Sequence, residues 1–366
     1  MYGYNDANDL TSLTYKQGAT VLGDLTHTYD PAGRRTTIGG TFARANLPPA
    51  LTTTTYNANN QQKVFGTNTL TYDLNGNLNT VTDPGGTGTY SWNVRNQLTG
   101  LSATGFSASF TYDAFGRRTG KTIQGTTTNF VYDGLNPVQE KNGATVTANL
   151  LTGLGIDEFF TRTDGVGVRA ILPDALGSTV ALGDNTGTLQ TQYTYEPFGF
   201  TSQTGLASTN SYKYTGREED GSGLLYYRAR YYHPRLQRFI AEDPIGFNGG
   251  DVNLYAYVLN HPIRFVDPLG LCWFRSQSEQ YIVGRPGTLV RPGKDIGKFL
   301  EDYVPAMHTL GRFHDTLVDM GLELGLPDLL INIPTMPGVY IIAVEAELRR
   351  SLFNRNEDCR LSKPKC

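Results

Sequence analysis

Along the first three quarters of the chain, short runs closing in Thr-Tyr or Phe-Thr-Tyr give way to turn residues and then to alternating stretches such as Gln97-Leu-Thr-Gly-Leu101 and Arg117-Arg-Thr-Gly-Lys121. Alternation of period two predicts strands with one face buried. Tyr, Thr, Val and Phe favour such strands, whereas Gly, Asn and Asp favour the turns between them. An aromatic followed by Asp or Asn, with Gly or Asn four positions after the aromatic, recurs at Tyr4, Tyr29, Tyr56, Tyr72, Trp92, Tyr112 and Tyr132. A fixed spacing of this kind marks a repeat architecture. The Asp or Asn side chain can bond the backbone two residues on, and the Gly or Asn can take the left-handed conformation of a tight turn. A lone hairpin cannot bury its aromatic face, so neighbours are expected to pair edge to edge into one long, curling antiparallel sheet.

The pattern changes near residue 271. Residues 1–271 hold 19 of the 22 Tyr and 34 of the 42 Gly, while 272–366 hold 12 Leu and all three cysteines. After a Pro/Gly linker, Gly284 to Gly293, helical spacing takes over. Asp295 is placed to cap a helix carrying Ile296, Phe299, Leu300 and Tyr303. Further amphipathic stretches run from Met307 to Leu326 and from Val339 to Leu352. The fold class is therefore mainly β, a repeat-built antiparallel hairpin array, followed by a small mainly α domain at 272–366. Composition adds exclusions. A net charge of −3 gives residues 1–271 no footprint for nucleic-acid binding. No run of 18 apolar residues predicts a transmembrane helix, no signal peptide is visible, and three cysteines make no disulfide framework.

The repeats resemble the tyrosine–aspartate (YD, or RHS) repeats, and residues 170–271 resemble the RHS repeat-associated core domain. The matching stretches are Asp174-Ala-Leu-Gly-Ser178, Tyr195-Glu-Pro-Phe-Gly199, Tyr212-Lys-Tyr-Thr-Gly216, Gly223 to Tyr232, Arg238 to Gly246, Asn253 to Tyr257 and Asp267-Pro-Leu-Gly-Leu271. The resemblance implies a β-array over 1–169, a core domain over 170–271, and a variable C-terminal effector over 272–366. It implies a β-shell that encloses the effector and a core that cuts it free after Leu271, leaving Cys272 as the new N-terminus. That point coincides with the change of composition. With only 271 residues ahead of it, the array is expected to form a partial wall, and the chain to be the terminal piece of a longer protein or a truncated orphan copy.

The chemistry rests on two Asp-Pro-x-Gly segments, Asp243-Pro244-Ile-Gly246 and Asp267-Pro268-Leu-Gly270. Proline fixes its own φ and glycine permits a tight turn, so each carboxylate sits on a rigid corner. Two carboxylates brought together in a partly dry site cannot both ionise. One stays an acid while the other draws a proton from water, the division of labour of an aspartic protease applied once to the chain's own backbone. The family's assisting arginine falls on Arg230, which could instead pair with Glu242 or pack on Tyr231. Its neighbour Arg228 is expected on the opposite sheet face. A single Asp-Pro-x-Gly is an ordinary turn. His233 and His261, each before a Pro, read as solvated loop residues, and Gln237 stands where the family commonly has glycine.

In the C-terminal piece, His308, His314, Asp315 and Asp319 form the one cluster of note and read as solvated helix-face residues. Cys359 and Cys366 read as tail thiols. No cofactor or metal is expected. The implied partners are a cognate immunity protein, secretion or delivery machinery (contact-dependent, type VI or toxin-complex), and the chain's own C-terminal segment as cleavage substrate. The implied location is cytoplasmic until export, or secreted and cell-associated through a specialised system. A non-catalytic repeat scaffold or carbohydrate-binding surface protein is the competing reading.

Overall fold

The structure, a computed structural model, describes residues 1–273 and the backbone of 274–275, 282–283 and 289–290. The first compact unit runs from Met1 to Ser278. Its building block is the aromatic–Asp/Asn turn. In Asp113-Ala-Phe-Gly116-Arg117, Asp113 Oδ1 accepts the amide hydrogens of Phe115 and Arg117, each at 2.9 Å, and Gly116 takes φ +84°. Asn5, Asp30, Asn57, Asp73 and Asn93 accept the corresponding two amides in their own turns. Asp174 and Asp184 do the same, so the turn continues into the motifs of the core. At the seventh copy the geometry differs. Asp133 and Asn136 pair across a two-residue turn and Gly134 is left-handed, so Asn136 belongs to the return strand.

The aromatic member joins one repeat to the last. Trp92 Nε1 donates to the carbonyl of Leu78 at 2.7 Å, Tyr112 Oη to that of Leu98 at 2.6 Å and Tyr132 Oη to that of Arg118 at 2.9 Å, each 14 residues back. The ring covers the preceding hairpin while its polar end satisfies that hairpin's backbone. The strands form a sixteen-stranded antiparallel sheet in simple meander order from Thr54–Tyr56 to Thr201–Gly205. A four-stranded sheet, Tyr2–Tyr4 to Arg35–Gly39, precedes it. Alternate residues, such as Ala108 and Phe110 in Phe106–Tyr112, are buried, and threonine hydroxyls pair across the wet face, as between Thr71 and Thr80 at 2.6 Å.

Residues after Gly205 cover the buried face. Leu224, Tyr226, Tyr231, Leu236 and Ile240 pack with Leu70, Leu78, Leu98 and Phe110 of the array. The N-terminal sheet packs Leu10, Leu13, Leu25 and Phe42 on Leu172, Val180 and Ala181. Polar keys cross the first of these contacts. Arg118, wholly buried, pairs with Glu218 and Asp220, and Lys121 reaches Asp220 at 2.8 Å.

The strand Gly167–Pro173 crosses the expected 169/170 division, which thus marks a change of motif within a continuous sheet. A short pair joins Ile282–Val283, just ahead of the expected Gly284–Gly293 linker, to Leu289–Val290 within it. The helices expected beyond Asp295, with His308, His314, Asp315, Asp319, Cys359 and Cys366, lie outside the described residues. Among the described residues no helix is long and apolar enough to cross a membrane, and no cluster of His, Cys, Asp or Glu is suited to a metal ion.

Candidate active site

Arg230 opens the strand Arg230–His233, one residue after the hairpin turn Arg228-Ala229. Its side chain is buried and its guanidinium lies 3.7 Å from the centroid of the Phe239 ring. Nη2 stands 3.1 Å from Asp243 Oδ2 and 3.5 Å from Asp267 Oδ2, so one nitrogen faces both carboxylates. Nη1 donates to the carbonyl of Leu254 at 3.0 Å, and Nε to that of Gly270. The alternative partners are engaged elsewhere: Glu242 accepts from Tyr255 Oη, and the hydroxyl of Tyr231 lies 3.1 Å from that of Tyr112.

The two Asp-Pro-x-Gly segments reuse the repeat turn. Asp243 Oδ1 accepts the amide of Ile245 at 3.0 Å and Gly246 takes φ +58°. Gly270 takes φ +67° in the other. There the bonding shifts along the chain: Asp267 Oδ1 accepts the amides four and five places on, those of Leu271 at 3.0 Å and Cys272 at 3.3 Å. The carboxylate of the second segment therefore touches the nitrogen of the Leu271–Cys272 bond. The carbonyl oxygen of Leu271 lies near the other carboxylate: a Cβ added at Gly249 would meet Asp243 Oδ2 at 2.5 Å and Leu271 O at 2.9 Å. Arg230, Asp243, Asp267, Leu271 and Cys272 share one cleft, with space for about one water molecule. Burial pushes the Asp267 carboxyl up to about 6 against the pull of Arg230 and of the two amides. Burial also raises Asp243, again opposed by Arg230. Burial lowers the arginine itself. The arrangement offers an acid at the amide nitrogen and a second carboxylate beside the carbonyl, held by one cation.

Arg228 stands in the turn, at φ +58°, rather than on an opposite strand face. Its guanidinium contacts Asp157 and the carbonyls of Leu135 and Pro268. His233 is a correction: it belongs to a strand, its Nδ1 accepts the amide of Leu236 at 3.3 Å, and burial lowers its pKa to about 4. His261 is exposed as expected. Gln237 takes φ +59°, so the turn survives without its glycine. Cys272 is buried. Sequence reasoning also missed Gly249 and Leu254. The Gly249-Gly250 pair and the Asn253-Leu-Tyr-Ala-Tyr257 motif were the available signals.

No family model matches the chain. Among curated proteins, toxin subunit YenC1 of Yersinia entomophaga is 38% identical over 109 residues, covering 28% of this chain and 11% of YenC1. The tRNA nuclease WapA of Bacillus subtilis strain 168 is 38% identical over 104 residues, covering 26% of this chain and 4% of WapA. The alignments thus span only a small part of the length of these relatives. The fold is similar to that in a crystal structure of TcdB2-TccC3-Cdc42, with a TM-score of 0.53 and 21% identity over 74% of this chain and 18% of that one.

Proposed function

We propose that this chain, an RHS/YD-repeat protein related to bacterial toxin components, cuts its own backbone once, between Leu271 and Cys272, and so frees residues 272–366 as a toxin effector. The observation that carries the reading is the placing of Asp267 Oδ1 3.3 Å from the amide nitrogen of Cys272. The opposite side of the same bond faces Asp243 across the space left by Gly249.

In the reaction, Asp243 is the base and Asp267 the acid. A water molecule in the cleft gives a proton to Asp243 while its oxygen adds to the carbonyl carbon of Leu271. The carbon–nitrogen bond then breaks, and the proton of Asp267 passes to the nitrogen of Cys272. The products are a carboxyl group on Leu271 and an amine on Cys272. Arg230 favours the ionised form of Asp243, to which it stands closer than to Asp267. The same cation holds the carbonyls of Leu254 and Gly270, so it fixes both segments at once. In this reading the repeat array supports the cutting site. A delivery machinery carries the effector, and a cognate immunity protein meets it.

Intact mass of the expressed chain tests the reading. Two fragments parted between Leu271 and Cys272 are expected from the native sequence, and one whole chain from Asp243→Asn and from Asp267→Asn. A whole native chain would instead favour a non-catalytic scaffold. A cut directly after Asp267 would signal acid lability of the Asp-Pro bond.

A further inference from the structure

Three successive residues of one turn hold three successive carbonyls of the other. Arg228 Nη1 donates to Pro268 O, the Ala229 amide to Leu269 O at 3.1 Å, and Arg230 Nε to Gly270 O. The next carbonyl, that of Leu271, is the one beside Asp243 and Gly249. The fit is close: a Cβ on Gly270 would meet Tyr227 O at 2.3 Å and the Arg230 amide nitrogen at 3.1 Å.

Of the three donors, Arg230 already belongs to the dyad and Ala229 acts through its backbone. Arg228 is the side chain left without a role, and two features set it apart. It takes φ +58°, a left-handed conformation in which glycine or asparagine is more comfortable than arginine. Its guanidinium is tied to a carboxylate 71 residues earlier, with Nη2 2.7 Å from Asp157 Oδ1 and Nη1 3.0 Å from Asp157 Oδ2. Nη2 also reaches Leu135 O at 3.1 Å. Asp157 is itself buried and held by Arg217, so it is an anchor fixed independently of Arg228.

We propose that Arg228, anchored on Asp157, is a positioning residue that sets the register of the cut: it ties the Asp267 turn to the repeat array so that Leu271 is the first carbonyl presented to the dyad. This rests on the self-cleavage reading and adds to it a part of the machinery outside the dyad. The ion pair does not touch the reacting atoms. Its effect is on where the turn lies, and a displacement of about 1 Å in such a site costs on the order of 100-fold in rate.

The test uses the full chain, refolded from denaturant and followed by intact mass as whole chain converts to fragments. Arg228→Met keeps the length of the side chain and leaves Asp157 its partner Arg217. Conversion is expected to slow about 10- to 100-fold. Arg228→Lys, which restores one donor and the charge, is expected to recover part of the rate. Melting is compared on an Asp267→Asn background, where all chains stay whole, and Arg228→Met is expected to leave a single cooperative transition well above the assay temperature. Native-like conversion in Arg228→Met overturns the proposal. Loss of the folded state at the assay temperature on the Asp267→Asn background also overturns it, since the role is then structural. An uncut native chain overturns the self-cleavage reading itself, and this inference with it.

Discussion

Gly249 leaves a gap beside Asp243 that a single methyl group would fill, since a Cβ there would lie 2.5 Å from Asp243 Oδ2. The same atom would press on the carbonyl oxygen of Leu271 at 2.9 Å. Gly249 does not have the positive φ that would make alanine strained in its own right. The Gly249→Ala substitution is therefore expected to fold and to cut poorly, with overpacking of about 1–3 kcal/mol taken up by the carboxylate and the bond it faces. Intact mass read beside the melting temperature separates the two effects. Full cutting by a folded Gly249→Ala chain would remove the gap from the mechanism.

The pH profile follows from the roles given to the two carboxyls. Asp267 must hold a proton to serve the leaving nitrogen, and its pKa is about 6. Cutting should therefore weaken as pH rises above about 6, tending to tenfold per unit. At low pH it should weaken again as Asp243, the base, takes up a proton. Because the two groups interact, both limbs report the pair. Refolding at a series of pH values and timing the appearance of fragments gives the profile. A rate that keeps rising between pH 6 and 8 would rule out a protonated carboxyl as the acid.

Removing Arg118 should cost far more than removing a surface ion pair. It leaves Glu218 without its cation in a buried setting and Asp220 with Lys121 alone. Breaking a buried network in this way costs about 3–5 kcal/mol. Arg118→Met, read by denaturant unfolding on the uncut Asp267→Asn background, should show a loss of that size. A loss below about 1 kcal/mol would class the cluster with exposed pairs.

The repeat aromatics admit a smaller, cleaner change. Tyr112→Phe keeps the ring but removes the donor to Leu98 O at 2.6 Å and the contact with Tyr231 Oη at 3.1 Å. The unpaired carbonyl should cost about 1–3 kcal/mol. Tyr4→Phe, at an exposed ring, should be near neutral. Thermal melting of the two variants compares a ring that closes on a preceding repeat with one at the exposed edge of its sheet.

Much of this protein was legible because its information is local. An Asp or Asn reaching amides two and four residues on, with a left-handed residue between, needs nothing from outside the turn. Asp30, Asp73 and Asp113 could thus be read from spacing alone. Asp243 and Asp267 each open an Asp-Pro-x-Gly corner like that of Asp30-Pro31-Ala-Gly33, which is why the two carboxylates were visible as motifs. His233 was misread because a histidine before proline looks like loop, whereas the strand that carries it is buried by distant aromatics.

The sequence by itself determined the turns, the strands and the pair of acidic corners, since each depends on residues within a few positions of one another. Only the tertiary structure decided that one guanidinium lies between the two corners, that Gly249 leaves room beside Asp243, and that Arg228 is tied to Asp157. Those contacts join pieces far apart in the chain. They depend on how the twisted sheet and the segment covering it come together, and no period or spacing along the backbone encodes that.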